Sequence, residues 1–212
     1  MTVLRRCAFL LVLPLLGCPS PKPASPPTGA VRATDLDFPV PDFKLTERSG
    51  KPVTRDDLKG KVWVASFVFV RCSGPCPQVS ATMARLQTEL KLAETPDLRL
   101  VTFTIDPDRD TPGELKDYAK TFSADPDRWL FLTGREEEIH KLLIEGFKAA
   151  VVRTKSTTVG EEFDHSTRLA VVDKAGVIRA YFDGLQGKRD TPADFAENLT
   201  KLKARVAELL KE

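Results

Sequence analysis

The chain has 212 residues, 42% of them hydrophobic, and 32 lysines and arginines against 30 acids. Arg5 and Arg6 supply the excess, so the remainder balances at 30 to 30 and no basic patch points to nucleic acid. A single domain of about 150 residues can bury a full core, and beyond the N-terminus no apolar run is long enough to span a bilayer.

Taken in order, two arginines precede the apolar run from Ala8 to Leu16, which is shorter than a membrane span and suits a signal peptide. Residues 1–17 therefore read as an export signal. Leu15-Leu16-Gly17-Cys18 resembles the bacterial lipobox, in which cleavage follows the small residue and the cysteine is lipidated. On that reading Cys7 is discarded, Cys18 carries acyl chains, and Cys72 and Cys76 form the only free pair. Residues 18–37 hold Pro19, Pro21, Pro23, Pro26 and Pro27 among small polar residues, the composition of an extended tether. The folded domain is expected over residues 38–212.

Pro41 to Leu45 alternates apolar and polar residues and Ser49-Gly50-Lys51 turns the chain, which gives an N-terminal hairpin. Thr54 to Gly60 reads as one capped helical turn, and both elements as decoration. The apolar run from Val62 to Val70 then ends in Arg71-Cys72-Ser73-Gly74-Pro75-Cys76-Pro77, where a helical pattern begins. Pro77 suits the first helical position, which makes Cys76 the N-cap and leaves Cys72 in the loop before it. The helix dipole and orphan N–H groups then favour thiolate at both sulfurs, and such settings lower a thiol pKa from about 8.5 toward roughly 3.5–7.5. A dithiol of this kind does redox chemistry or holds a soft metal. Cys76 shares a helical face with Val79, Met83, Leu86 and Leu90, so it is expected to be the more buried sulfur, with Cys72 exposed and attacking. Met83 reads as core.

Leu98 to Ile105 is a second strand. Asp106, Arg109 and Asp110 in the following loop read as loop anchors and caps, and Thr111-Pro112-Gly113-Glu114 is a capping box. Trp129 to Leu132 is a short strand, and Glu136 to Glu145 a helix with Gly146 as its stop. His140 lies off that helix's apolar stripe and reads as solvated. The segment from Phe147 to Phe163 breaks the rhythm and fits a hairpin or loop inserted into the sheet. Asp164-His165-Ser166 leads into a strand from Thr167 to Val172, paired with Val177 to Phe182, and Thr191-Pro192-Ala193-Asp194 caps a last helix.

Strands and helices in this alternation give an α/β domain of three layers on the thioredoxin plan. In that plan the loop before the final hairpin approaches the dithiol and commonly carries a proline. No proline precedes Thr167, and His165 stands there instead, so the imidazole is expected beside the two sulfurs.

Cys72-Ser-Gly-Pro-Cys76-Pro77, Asp106-Pro-Asp-Arg-Asp110-Thr-Pro112, Leu115-Lys-Asp-Tyr118, Leu132-Thr-Gly134 and Asp164-His165-Ser166 stand in the order seen in the SCO/SenC family, which the chain resembles from about Phe38 to its end. The resemblance implies a membrane-tethered, thioredoxin-like copper-binding factor of cytochrome c oxidase assembly, with Cys72, Cys76 and His165 as copper ligands and Asp164 beside them. The spacer Ser73-Gly74-Pro75 departs from the family's commoner proline directly after the first cysteine. Two thiolates and one imidazole suit Cu(I) and can also hold Cu(II), whereas structural zinc normally takes four ligands. A disulfide between Cys72 and Cys76 would remove both thiolates, linking metal and redox states. Asp164 is expected to orient His165.

The leading expectation is a monomeric metallochaperone, lipid-anchored at a bacterial membrane and facing the periplasm or cell exterior. It would serve the dinuclear copper site of cytochrome c oxidase subunit II or another exported copper protein. The alternative is a thiol-disulfide oxidoreductase that reduces the cysteines of such a site. A peroxidase of the peroxiredoxin kind is disfavoured by Val70-Arg71, where that motif would show threonine.

Overall fold

The computed structural model describes residues 36–212, so the export signal, Cys7, Cys18 and the tether up to residue 35 lie outside the described residues. The strands are β1 (Phe38–Pro39), β2 (Lys44–Glu47), β3 (Pro52–Thr54), β4 (Val62–Val68), β5 (Leu98–Thr104), β6 (Trp129–Thr133), β7 (Val151–Arg153), β8 (Phe163–His165), β9 (Arg168–Val172) and β10 (Val177–Asp183). The α-helices are α1 (Cys76–Glu89), α2 (Pro112–Thr121), α3 (Glu136–Lys141) and α4 (Pro192–Leu209), and α3 runs on into a π-helical turn, Leu142–Gly146.

All seven residues of β4 are buried. A strand covered on both faces reads as a continuous apolar run rather than an alternating one. β4 pairs in parallel with β5, from Val62 opposite Leu98 to Val68 opposite Thr104, and β5 pairs in parallel with β6. The eight-stranded sheet runs β1-β10-β9-β4-β5-β6-β2-β3. Both parallel crossovers step in the same direction, and right-handed crossovers then put α1 and α2 on one face. The two helices touch there through the hydroxyls of Ser80 and Tyr118, 2.8 Å apart. Lys203 of α4 reaches Glu89 at the end of α1, 2.6 Å away, so α4 covers the same face.

On the other face, Trp63 and Phe67 lie four residues apart in one strand and project to the same side. Their rings pack against Phe147 at 5.9 and 5.1 Å between centroids, and Phe67 stacks on Phe103 at 6.0 Å. Layers of helices, sheet and aromatic side chains result, in keeping with the expected three-layer α/β plan.

Two expectations change. The N-terminal hairpin is not decoration, because β2 pairs with β6 and β3 forms the sheet's edge, while β1 pairs with β10 at the opposite end. The inserted segment does not enter the main sheet. β9 already lies between β10 and β4, so β7 and β8 pair only with each other as a separate ribbon. His165 therefore stands on a strand of that ribbon and not in a loop.

Candidate metal and dithiol site

The sheet delivers the two sulfurs. β4 ends at Val68, and the Cys72 amide donates to the Phe69 carbonyl at 3.2 Å, turning the chain toward α1. The carboxylate of Asp110 holds this turn from beneath, accepting from the Val70 amide at 3.0 Å and from the Thr104 hydroxyl. Burial pushes the Asp110 carboxyl up to about 6, against the pull of those two hydrogen bonds. Asp106 is buried beside it and paired with Arg109 at 2.9 Å. These residues anchor the loop, as the sequence suggests.

The helix starts one residue earlier than expected. Pro75 occupies the N-cap with helical backbone angles, and Cys76 is the first residue of α1. Cys76 is completely buried, and Cys72, in the loop, is 8% exposed. Cys76 is the deeper sulfur, but Cys72 only grazes the surface. Both are free thiols.

The expectation of two thiolate-favouring sulfurs also changes. The Cys72 thiol is held far below the ordinary range, chiefly because Cys76 hydrogen-bonds to it. His165 and the amides of Cys76 and Gly74 add to that effect, and burial opposes it. Cys76 moves the other way, raised by the same hydrogen bond and by burial. A single thiolate therefore forms at Cys72, cradled by the Cys76 thiol and the amides at the helix start.

The ribbon delivers the imidazole. His165 Nε2 lies 3.2 Å from Cys76 Sγ, and Nδ1 donates to the Ser166 carbonyl at 3.0 Å. With Nδ1 engaged by that carbonyl, Nε2 is the ring nitrogen that faces the sulfurs. The ligand atoms of Cys72, Cys76 and His165 all lie within 4.8 Å of one another. This donor set is soft, small and of the kind that holds a thiophilic metal ion. The His165 ring packs edge-on to Phe69 at 6.0 Å between centroids, and Phe69 on Phe163 at 5.5 Å.

Asp164 does not take the orienting role expected of it. Side chains alternate along β8, so Phe163 is buried, Asp164 is exposed and His165 lies between. The ring proton Asp164 would accept goes instead to the Ser166 carbonyl. His140 is likewise not solvated. It bonds the Ile105 carbonyl at 2.8 Å through Nε2 and packs its edge on Phe163, 6.0 Å between centroids.

Gly160 is a contributor the sequence reading missed. Its carbonyl accepts from the Ser73 amide at 3.3 Å, joining the ribbon's loop to the loop of Cys72. With φ at +92° and a would-be Cβ only 2.6 Å from the Arg71 carbonyl, glycine alone fits there. Its place as the one glycine between Phe147 and Phe163, where the rhythm of strands and helices breaks, was the only signal available. An open cleft of about 300 Å³ lies at this junction, with Cys72, Ser73, Gly74, Phe163 and His165 among its walls.

Against known proteins, a family model described as SCO1/SenC matches residues 32–204. The crystal structure of a SCO1/SenC family lipoprotein from Bacillus anthracis is 33% identical, with a TM-score of 0.69 over 81% of this chain and 96% of that one. BsSco, a member of the Sco family of cytochrome c oxidase assembly proteins in which a disulfide switch was identified, is 31% identical, with a TM-score of 0.69 over 84% of this chain and 97% of its own. Bradyrhizobium japonicum ScoI with copper bound is 27% identical, with a TM-score of 0.59 over 79% of this chain and 99% of its own.

Proposed function

The chain belongs to the SCO1/SenC family, and from that premise we propose that it is a copper-binding metallochaperone of cytochrome c oxidase assembly. Cys72, Cys76 and His165 would hold the ion. The observation that carries this reading is the convergence of two sulfurs and one imidazole nitrogen within 4.8 Å from elements far apart in the chain. Two thiolates offset the charge of Cu(II) and leave a single negative charge with Cu(I), so either state is tolerable. The cargo would pass to the dinuclear copper site of oxidase subunit II or to another exported copper protein. A lipid on Cys18 and a tether over residues 18–37 would keep the domain, residues 38–212, near the membrane that holds such a target, a reading supported by the B. anthracis lipoprotein. Titration of the reduced protein with Cu(I) against a competing chelator tests the proposal. Stoichiometric tight binding whose affinity falls in His165→Ala supports it, and a titration indifferent to that change removes it.

A second reading is favoured by the depressed Cys72 thiol beside a resolving Cys76. As an oxidoreductase, the Cys72 thiolate would attack a partner disulfide and release one partner thiolate. Cys76, once deprotonated, would then attack the mixed disulfide, leaving a Cys72–Cys76 disulfide and a partner reduced by two electrons. Efficient reduction of an oxidised subunit II fragment by metal-free protein, unchanged in His165→Ala, would favour it over copper carriage.

A further inference from the structure

The ribbon turns an unpaired strand edge toward the sulfurs. The Ser166 amide donates to the Ala150 carbonyl at 3.1 Å and the Thr154 amide to the Glu162 carbonyl at 2.8 Å, while Val152 stands opposite Asp164. Antiparallel ladders alternate hydrogen-bonded and non-hydrogen-bonded pairs. The pairs at 150 and 166, 152 and 164, and 154 and 162 thus turn their backbone groups inward, and Phe163 and His165 turn theirs outward. Among the described residues, nothing pairs with the N–H or C=O of Phe163 or His165. The cleft lies along this edge, since β8 contributes Phe163, Asp164 and His165 to its lining and β7 contributes nothing. Across it stands Cys72.

An exposed strand edge invites another strand, and proteins normally cover it or blunt it with charge. Here it is left open beside a reactive sulfur. We propose that the β8 edge is a docking strand for an extended segment of the protein that exchanges copper or electrons with Cys72. The segment would add as a third strand, its backbone pairing with Phe163 and His165 and its own thiol facing Cys72 across the cleft. Charge fixes the segment's character. Glu161 and Asp164 line the cleft and no lysine or arginine does, so the segment carries basic side chains. Valine and threonine suit its other positions, because β-branched residues favour an extended strand. Main-chain pairing supplies the grip and the acidic rim the selectivity. This inference rests on the proposed function in taking Cys72 as the point of exchange.

The test uses full-length, nitrogen-15-labelled protein carrying Cys76→Ser, so that an adduct on Cys72 is not resolved. The probe is a nine-residue peptide alternating valine and threonine, with lysine at both ends and a central cysteine carried as its mixed disulfide with thionitrobenzoate. The Cys72 thiolate attacks the peptide sulfur, the bond to thionitrobenzoate breaks, and thionitrobenzoate leaves with the electron pair. In the adduct, amide exchange at Phe163 and His165 is expected to slow by about tenfold or more, while Asp164, already in the ladder, is unchanged. A peptide N-methylated at the pairing positions should leave both amides as fast as in the free protein, and a glutamate-flanked peptide should couple more slowly than the lysine-flanked one. Unchanged exchange at Phe163 and His165 in the complete adduct overturns the proposal. So does protection that appears without peptide and grows with protein concentration, because the edge then pairs with a second copy. Wild-type protein that titrates stoichiometrically with Cu(I) while the adduct shows no protection loses the docking strand and keeps the copper site.

Discussion

The turn from β4 into α1 and the ribbon of β7 and β8 meet at one site but hold their side chains in different ways. In the first, a fully buried seven-residue strand lies between two neighbours, and Asp110 fixes the turn that follows, so Cys72 and Cys76 are placed by the core itself. In the second, two strands of three residues pair only with each other. The ribbon's contacts with the body include the Ser73 amide on the Gly160 carbonyl, the Arg153–Glu136 ion pair at 2.7 Å, the Arg109–Glu162 pair at 3.8 Å, the approach of His165 to Cys76 at 3.2 Å, and the packing of Phe163 and His165 on Phe69. The sulfurs' mutual geometry therefore belongs to the global fold, whereas the imidazole depends on a segment of lower local stability. A metal ion that bonds both regions would add its binding energy to the ribbon's anchors.

The largest effect should come from the rigid half. Cys76→Ser removes both a candidate thiolate ligand and the hydrogen bond that lowers the Cys72 thiol. Copper affinity, measured by chelator competition, should fall by more than the roughly 100-fold that losing a metal site's outer hydrogen-bond partner costs. The pH midpoint for Cys72 alkylation should rise toward about 8.5. An unmoved midpoint would show that the two sulfurs do not act as a pair.

Next, Phe67→Ala opens the aromatic layer and should cost about 3–5 kcal/mol in denaturant unfolding. Phe163→Ala in the ribbon should cost less than half of that, yet lower copper affinity about 10–100-fold by freeing the imidazole. Equal stability losses would erase the contrast between the two regions.

Asp110 gives a smaller and pH-dependent effect on the rigid side. Its carboxyl is raised in the folded state from 3.8 to about 6, so it favours folding fully below its unfolded value and loses that contribution as pH rises through about 6. At about 1.36 kcal/mol per unit, unfolding free energies of wild type and Asp110→Asn should diverge by about 2–3 kcal/mol between pH 4 and 7, the variant gaining. Parallel curves would show that the carboxyl is not raised.

Smallest is Arg153→Ala. The ion pair with Glu136 is half exposed, and such pairs contribute about 1 kcal/mol or less. Global stability should stay nearly unchanged while amide exchange quickens in the ribbon alone, as read by nuclear magnetic resonance. Quickening that spreads into β4 would join the two regions into one cooperative unit.

The same division decides what the sequence made legible. The run Val62–Val68, the Cys72-to-Cys76 spacing and the helical stripe through Met83 are local patterns, and the fold plan follows from them. Lost were features that depend on distant groups. The opposite shifts of the two thiols come from burial and a contact between sulfurs, which spacing cannot reveal. His140 lies off its helix's apolar stripe but finds the Ile105 carbonyl across the fold. Asp164 was within reach of sequence reasoning. Once residues 163–165 are recognised as a strand, the period of two sends it outward while Phe163 and His165 face in. The short ribbon carries only one brief apolar run, Ala149 to Val152, so the segment reads as a hairpin or loop and its pairing apart from the main sheet stays hidden.

X-ray absorption at the copper edge, on Cu(I)-loaded reduced protein, tests most directly whether core and ribbon close on one ion. Two sulfur scatterers and one imidazole nitrogen are expected in the wild type, with the nitrogen missing in His165→Ala and both sulfurs kept. Identical spectra from the two proteins would contradict a site shared between the sheet and the ribbon.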